Sequence, residues 1–147
     1  MAAFVKTSGS KGLHIVCPIR RKCGFDETRN LAGKIASYCA GKHPDLLTTE
    51  QRKTRRKGRL FLDTARNSYG HSMVAPYSLR ALPGAPVATP LEWQEVKDKS
   101  LTPDRYSLAN IFKRLARKQN PWQGMGRRAR DPAGPEKKLD ELLGEQK

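Results

Sequence analysis

The stretch RKGRLFLDTARNSYGHSMVAPYSLR, from Arg56 to Arg80, decides how this chain is to be read. It opens basic and turns apolar at Leu60-Phe61-Leu62, a short run closed by a single acid, Asp63. Asn67-Ser68-Tyr69-Gly70 follows as a turn signal, and a second extended segment runs over residues 72–79. Two apolar runs around an Asn/Gly-containing loop predict a β-hairpin. A carboxylate at the end of a buried run is costly unless something positive meets it. A metal ion is one candidate partner for Asp63. The arginines around it, Arg56, Arg59, Arg66 and Arg80, are the other.

Upstream, residues 1–19 predict strand, Gly-rich turn, strand. Phe4 and Val5 lead into Ser8-Gly9-Ser10-Lys11-Gly12, and Leu13, Ile15, Val16 and Ile19 form the apolar run beyond. A Gly/Ser loop between strands can point backbone N–H groups at a phosphate, because glycine reaches conformations other residues avoid. Lys11 would add charge and Ser8 a hydroxyl donor. Taken alone, a plain hairpin turn is the simpler reading of the same residues. Residues 26–41 predict a helix, with Asp26 capping its start, Gly41 ending it, and Leu31, Ile35, Tyr38 and Cys39 at helical spacing. Residues 46–57 form a strongly basic connector containing Arg52, Lys53, Arg55, Arg56 and Lys57. Such a run is either a solvated surface or a phosphate-contacting loop.

Downstream, residues 83–90 are rich in Pro, Ala and Gly and read as an irregular loop. Thr89-Pro90-Leu91-Glu92 has the form of a capping box with Pro at the first helical position. It predicts a short helix from Pro90 to about Val96, with Trp93 as a packing anchor. A second helix is expected within residues 103–118, with Leu108, Ile111, Phe112 and Leu115 on one face and Asn110 and Arg114 on the other. Asn120-Pro121-Trp122 should end it. Residues 1–123 are read as one domain. Residues 124–147 are read as a charged flexible tail, within which residues 137–143 can form a short helix.

The length of 147 residues fits one domain with a core of its own. Only 37% of the residues are hydrophobic and 29% are charged; 29 Lys and Arg face 14 acids, for a net charge of +15. That excess calls for an electrostatic partner, and DNA, RNA or an acidic membrane would each serve. A ribosomal-type or merely basic protein is the plainer alternative. No apolar run approaches the roughly 18 residues of a membrane span, and the first residues contain no hydrophobic signal core. Cys17, Cys23 and Cys39 are odd in number and lack CxxC spacing, which supports neither a disulfide framework nor a zinc site. They read as small reduced apolar residues of a cytoplasmic protein.

Five blocks carry a resemblance. They are Thr7-Ser8-Gly9-Ser10-Lys11-Gly12-Leu13-His14, Gly58-Arg59-Leu60-Phe61-Leu62-Asp63 with Arg66-Asn67, Ala75-Pro76-Tyr77-Ser78-Leu79-Arg80, Gly84-Ala85-Pro86-Val87, and Thr89-Pro90-Leu91-Glu92-Trp93. In this order they resemble the polymerase, or primase-like, domain of bacterial ATP-dependent DNA ligase D, of the archaeo-eukaryotic primase superfamily. The likeness runs from about Phe4 to Trp122. It favours the phosphate reading of the Gly/Ser loop. It implies an α/β fold, a primase-like mixed or antiparallel sheet flanked by helices. It also implies templated nucleotidyl transfer in double-strand break repair by non-homologous end joining, in a bacterial, nucleoid-associated setting.

By the same resemblance, Ser8, Lys11, Arg56 and Arg80 are triphosphate ligands. His14 occupies the histidine of the superfamily's second motif, and Arg66 stands near the base or sugar. Asp63 is the catalytic metal carboxylate, holding Mg2+ or Mn2+. Arg52, Lys53 and Arg55 suit the DNA backbone. The implied partners are DNA ends, a nucleoside triphosphate, and ligase or nuclease domains or other end-joining proteins. Asn120 stands where the family usually has an acid.

Polymerases of this superfamily use two metal ions, roughly 3.5–4 Å apart, which several carboxylates must surround. The family takes two of these acids from an Asp-x-Asp strand ahead of the Ser-Gly-Lys block. In residues 1–147 no Asp or Glu precedes Asp26, and Asp26-Glu27 fall at a predicted helix start. The expectation is therefore the C-terminal half of the family's domain, incomplete on its N-terminal side, with an exposed sheet edge and apolar face. The residues would bind nucleotide and DNA without catalysing alone. The alternatives are a non-catalytic basic nucleic-acid-binding remnant and a half-enzyme completed by a separate chain.

Overall fold

Val5, Lys6 and Thr7 are shut off from solvent almost completely, which makes β1 (Phe4–Thr7) the spine of the first of two units. The computed structural model describes residues 1–144. Unit one joins Met1–Ile19 to Val74–Arg130; unit two contains Arg20–Met73 and the residues from Asp131 onward.

In unit one, β1 pairs antiparallel with β2 (Leu13–Val16), as the strand–turn–strand reading expects. The register sets Val5 against Ile15 and Thr7 against Leu13. On its other side β1 pairs antiparallel with the two residues of β5 (Pro90–Leu91), giving the order β2-β1-β5. Val5, Val87, Ala88, Leu91, Ile111 and Trp122 form the unit's apolar centre. Trp122 closes it: its ring meets Phe4 edge-on at 6.0 Å, and its indole N–H donates to the Val5 carbonyl at 3.0 Å. That bond satisfies the one polar group a buried indole carries.

In unit two, α1 (Phe25–Lys42) brackets the predicted helix by one residue at each end. Gly24 rather than Asp26 precedes it. Glu27 reaches back to accept the Gly24 N–H at 2.6 Å, while Asp26 and Glu27 both favour the positive end of the helix dipole. Leu31 and Ala36 are buried, and the expected stripe residue Ile35 is exposed. β3 (Leu47–Thr48) pairs in parallel with β4 (Leu60–Phe61). α3 (Ala133–Gly144) is tied to α1 by Lys34, which bridges Glu136 at 2.9 Å and Asp140 at 2.8 Å. Parallel and antiparallel pairs with flanking helices make the fold a mixed α/β one, as expected. No helix among the described residues is long and apolar enough to cross a membrane.

Three local expectations fail, each because a distant partner wins over local sequence. The apolar run at Leu60 does not build a hairpin with residues 72–79: Leu60 and Phe61 pair with Leu47 and Thr48. The later segment pairs instead with residues 86–88, through Tyr77 N–H to Ala88 O, Ala88 N–H to Ser78 O and Arg80 N–H to Pro86 O. The turn that closes this pairing lies at Leu82–Ala85, with Gly84 at φ +79°. The predicted helix at Pro90 is absent; Pro90 and Leu91 are strand, and only Glu95–Lys97 turns helically. Thr89, the expected cap, is buried and donates to Val87 O while Thr7 Oγ1 accepts its N–H. The expected helix of residues 103–118 shrinks to α2 (Ile111–Arg117), because Tyr106 O accepts the Val87 N–H and Ser107 pairs with Pro86. Of its predicted apolar face only Ile111 is buried; Leu108, Phe112 and Leu115 are exposed.

Candidate functional site

The loop between β1 and β2 is more self-contained than a phosphate cradle of backbone amides would be. Ser8 N–H donates to Gly12 O at 2.9 Å, and Gly9 N–H donates to Pro103 O at 3.0 Å. The N–H groups of Ser10 and Gly12 both donate to Ser8 Oγ, each at 3.1 Å. These four amides are spent inside the protein. With two N–H groups on its oxygen, the Ser8 hydroxyl keeps its proton as the group it can still give. The exposed Lys11 and the half-buried Arg80 supply the remaining positive donors.

Arg80 is delivered to this loop by the pairing of residues 77–80 with 86–88. Its stem lies on Gly9: a Cβ built there would stand 2.7 Å from Arg80 Cγ and 3.3 Å from Ala88 N. Gly9 also has φ +64°, a conformation glycine enters without strain. Beneath them, Lys6 is fully enclosed in β1, its ammonium donating to Val74 O at 2.7 Å. Burial first, and the charge of Arg80 second, pull its pKa down from 10.5 to about 8. Among the described residues neither Lys6 nor Arg80 has an ion-pair partner. Two neighbouring cations, one buried and one half-buried, with no carboxylate to meet them, define a place where an anion would be stabilised. His14 stands across the ladder from Lys6 and is half-buried.

The remaining candidates lie in unit two. Asp63 follows β4 and is exposed, not enclosed; its Oδ1 accepts the N–H of Ala65 at 3.0 Å, and it has no ion pair among the described residues. The apolar run before it is no buried strand either, since Leu60 is 64% exposed. Arg56 is anchored rather than loose. Its Nε and Nη2 donate to Glu50 O and Gln51 O at 3.0 and 2.7 Å, and its guanidinium lies 4.0 Å over the Phe61 ring. Arg59 spends its guanidinium on the carbonyls of Arg56, Pro44 and Arg55. Arg52, Lys53 and Arg55 are exposed around the 3-10 turn Lys53–Arg55, and Arg66 is exposed in the 3-10 turn Ala65–Asn67.

A two-ion metal centre does not fit this donor set. Among the described residues no three His, Cys, Asp or Glu side chains converge to hold an ion, and Asp63 is one carboxylate where two divalent cations need several.

Two features leave no local sign in the sequence. Lys6 looks like an ordinary strand-edge lysine; only the alternation of β1 and the flanking β5 reveal that it is enclosed. Glu95, Arg114, Tyr106 and Lys118 form an ion-pair cluster in unit one. Burial alone would raise the Glu95 pKa, but hydrogen bonds from Arg114, the Glu92 N–H and Lys118 overcome it and hold it at about 2. Arg114 also donates to Pro90 O at 2.8 Å and lies 4.5 Å over the Tyr106 ring. This cluster packs the short α2 against β5 rather than leaving Arg114 on a solvent face.

Comparison with known proteins gives a consistent result. The family model described as LigD, primase-polymerase domain, matches residues 1–122. The multifunctional non-homologous end joining protein LigD of Pseudomonas aeruginosa is 36% identical over 115 residues, covering 78% of this chain and 14% of that protein. The bifunctional non-homologous end joining protein LigD of Bacillus subtilis is 32% identical over 132 residues, covering 89% of this chain and 21% of its own length. The chain thus spans about a fifth or less of these relatives. A solved polymerase domain from Mycobacterium tuberculosis ligase D, in complex with DNA, superposes with a TM-score of 0.79 at 32% identity. That match covers 87% of this chain and 44% of the solved one.

Proposed function

The chain belongs to the LigD primase-polymerase domain family, and on that premise we propose that it is the nucleotide- and DNA-binding part of a templated nucleotidyltransferase of bacterial non-homologous end joining. The observation that carries this reading is the pair of neighbouring cations, Arg80 and Lys6, with no carboxylate to meet them among the described residues, beside the Ser8–Gly12 loop. A triphosphate brings to it the negative charge it lacks, with Lys11 and the Ser8 hydroxyl adding charge-assisted and neutral hydrogen bonds. By the resemblance already described, His14 is a further nucleotide ligand in unit one; in unit two Arg56 and Arg66 are nucleotide-binding residues, and Asp63 is the carboxylate that would bind one Mg2+ or Mn2+ through water and substrate phosphate. The solved relative is bound to DNA; here the exposed run Arg52, Lys53 and Arg55 is the proposed contact to DNA ends. Residues 1–147 by themselves carry one of the three acids and are proposed to be inactive as a polymerase.

The test is a comparison of a nucleoside triphosphate with its nucleoside. The triphosphate should bind at least tenfold more tightly, and Lys11→Ala or Arg80→Ala should erase the difference. Equal binding of both ligands by the unmodified protein would sink the reading and leave a basic protein that binds nucleic acid by charge alone.

A further inference from the structure

We propose that an open groove beside α2, lined by Arg105, Tyr106, Lys113, Arg114, Arg117 and Lys118, is a second DNA contact that grips the sugar–phosphate backbone.

The groove lies wholly within unit one and has a volume of about 440 Å3. Five cations line it and no acid does. The acids that balance three of these cations stand outside its walls: Asp98 pairs with Arg105 at 2.8 Å, Glu92 with Lys118 at 2.7 Å, and Glu95 with Arg114. Those pairs hold the walls in place. Arg114 lies 4.5 Å over the Tyr106 ring, donates to the Tyr106 hydroxyl at 2.9 Å, and donates to Pro90 O at 2.8 Å. Lys113 and Arg117 are exposed and have no ion pair among the described residues. They stand four positions apart, so they project from one face of α2, where like charges repel. The helix dipole accounts for Arg117, which is in the last turn. Lys113 lies in the first turn, at the dipole's positive end, with no acid there to offset it. Helix stability therefore does not explain Lys113. A polyanion lying across both side chains relieves the repulsion and gives each a partner.

Three observations favour DNA over an acidic peptide as the occupant. No aliphatic side chain lines the groove: Leu108, Phe112 and Leu115 are exposed but are not among its walls. A peptide would therefore lack the buried apolar anchor on which protein interfaces depend, and charged residues are scarce at the centre of such interfaces. Lysine and arginine are mixed in the groove, which suits a row of phosphates met by point charges and by forks alike. The net charge of +15 draws a polyanion to the protein, and the solved relative is bound to DNA. The inference rests on the DNA half of the proposed function and is independent of the triphosphate site. It adds a contact in unit one to the run Arg52, Lys53 and Arg55 in unit two.

The experiment titrates a labelled DNA duplex with residues 1–147 by fluorescence anisotropy over a series of salt concentrations. Lys113→Gln with Arg117→Gln should weaken binding about tenfold and flatten the slope of log K against log salt by roughly 2, at about 0.9 per phosphate contact. Lys113→Arg with Arg117→Lys keeps the charge and should bind as the unmodified protein does. Lys137→Gln with Lys138→Gln, exposed on α3 in unit two, removes the same charge and should change the slope far less. Without any substitution, DNA should slow acetylation of the Lys113 amine about tenfold, read by mass spectrometry. An acetylation rate unmoved by DNA, or a control pair that matches the groove pair, would overturn the inference. So would tighter binding of polyglutamate than of DNA of equal charge, which would assign the groove to an acidic chain. Loss in the groove variant but not in the variant of Arg52, Lys53 and Arg55 would support the groove and remove that run from the interface. The reverse pattern would overturn the groove and leave the proposed function standing.

Discussion

Gly9 is the seat of Arg80: any Cβ at residue 9 would stand 2.7 Å from Arg80 Cγ, with the backbone of Val87 and Ala88 closing the way behind. Gly9→Ala must therefore push the guanidinium aside as well as strain a left-handed backbone. Triphosphate affinity should fall by about as much as in Arg80→Ala, on the order of tenfold. In the double variant the two losses should not add, because both act through one guanidinium. Additive losses in a titration series would show that Gly9 and Arg80 act separately.

Lys6 links the same region to pH. Its pKa is about 8 in the fold, from burial first and Arg80 second, against 10.5 when exposed. Between those values the unfolded chain holds a proton that the folded chain has released, so stability contributed by this group rises as pH rises from about 8 to 10.5. Lys6→Met should flatten that rise in denaturant titrations. A bound triphosphate offsets the charge of Arg80 and so raises the Lys6 pKa. Proton uptake on binding should then appear near pH 8 to 9, read by calorimetry in two buffers of different ionisation enthalpy. His14, opposite Lys6 in the ladder, and Arg80 are the other charged or titratable groups that face Lys6. Uptake that persists in Lys6→Met would assign the proton elsewhere.

The exposed run at Arg52, Lys53 and Arg55 should govern salt dependence. Each phosphate neutralised releases counterions, at about 0.9 in the slope of log K against log salt for duplex DNA. Changing all three residues to Gln should flatten the slope by roughly 2 to 3. An unaltered slope would remove this run from the interface and leave it as solvated surface.

Asp63 should matter only where other acids accompany it. Residues 1–147 alone should give no primer extension with Mg2+ or Mn2+. A hybrid in which a family segment supplies the two further acids should extend a primer, and Asp63→Ala in that hybrid should abolish extension. Extension by residues 1–147 alone would overturn the proposed inactivity, and extension by the hybrid carrying Asp63→Ala would remove Asp63 from the proposed role.

The parts of this fold that were legible in sequence are those written locally. The β1–loop–β2 hairpin and α1 follow from a Gly/Ser turn and a helical stripe, signals contained within about twenty residues. Fold class and family were legible because whole blocks carry them. The pairings of Leu47 with Leu60 and of Tyr77 with Ala88 were not, because a parallel ladder needs no tight turn and local turn signals can be answered by more than one strand. The capping box at Thr89 misled for the same reason. Burying Thr89 and Pro90 beside β1 outweighs about a kilocalorie of local capping. Of the site, the loop and Arg80 could be read as motif residues, but Lys6 could not: its significance lies in burial, which no single residue states. The Glu95–Arg114 pair is hidden likewise, since its partners are 19 positions apart, on a 3-10 turn and a short helix whose ends are set by distant pairings.

The bond from the Trp122 indole to the Val5 carbonyl spans 117 positions, and it makes the ribosome a party to how this protein acquires its form. During synthesis β1 emerges 117 positions ahead of the ring that covers Phe4 and takes up the Val5 carbonyl. Residues 20–73, by contrast, find α1, β3 and β4 close by in the growing chain. At roughly 5–20 residues per second, the nascent β1 waits several seconds or more for its cover. A ribosome that stalls before the codon for Trp122 therefore holds a chain in which β1 is uncovered, the kind of segment that chaperones bind and that neighbouring chains can capture.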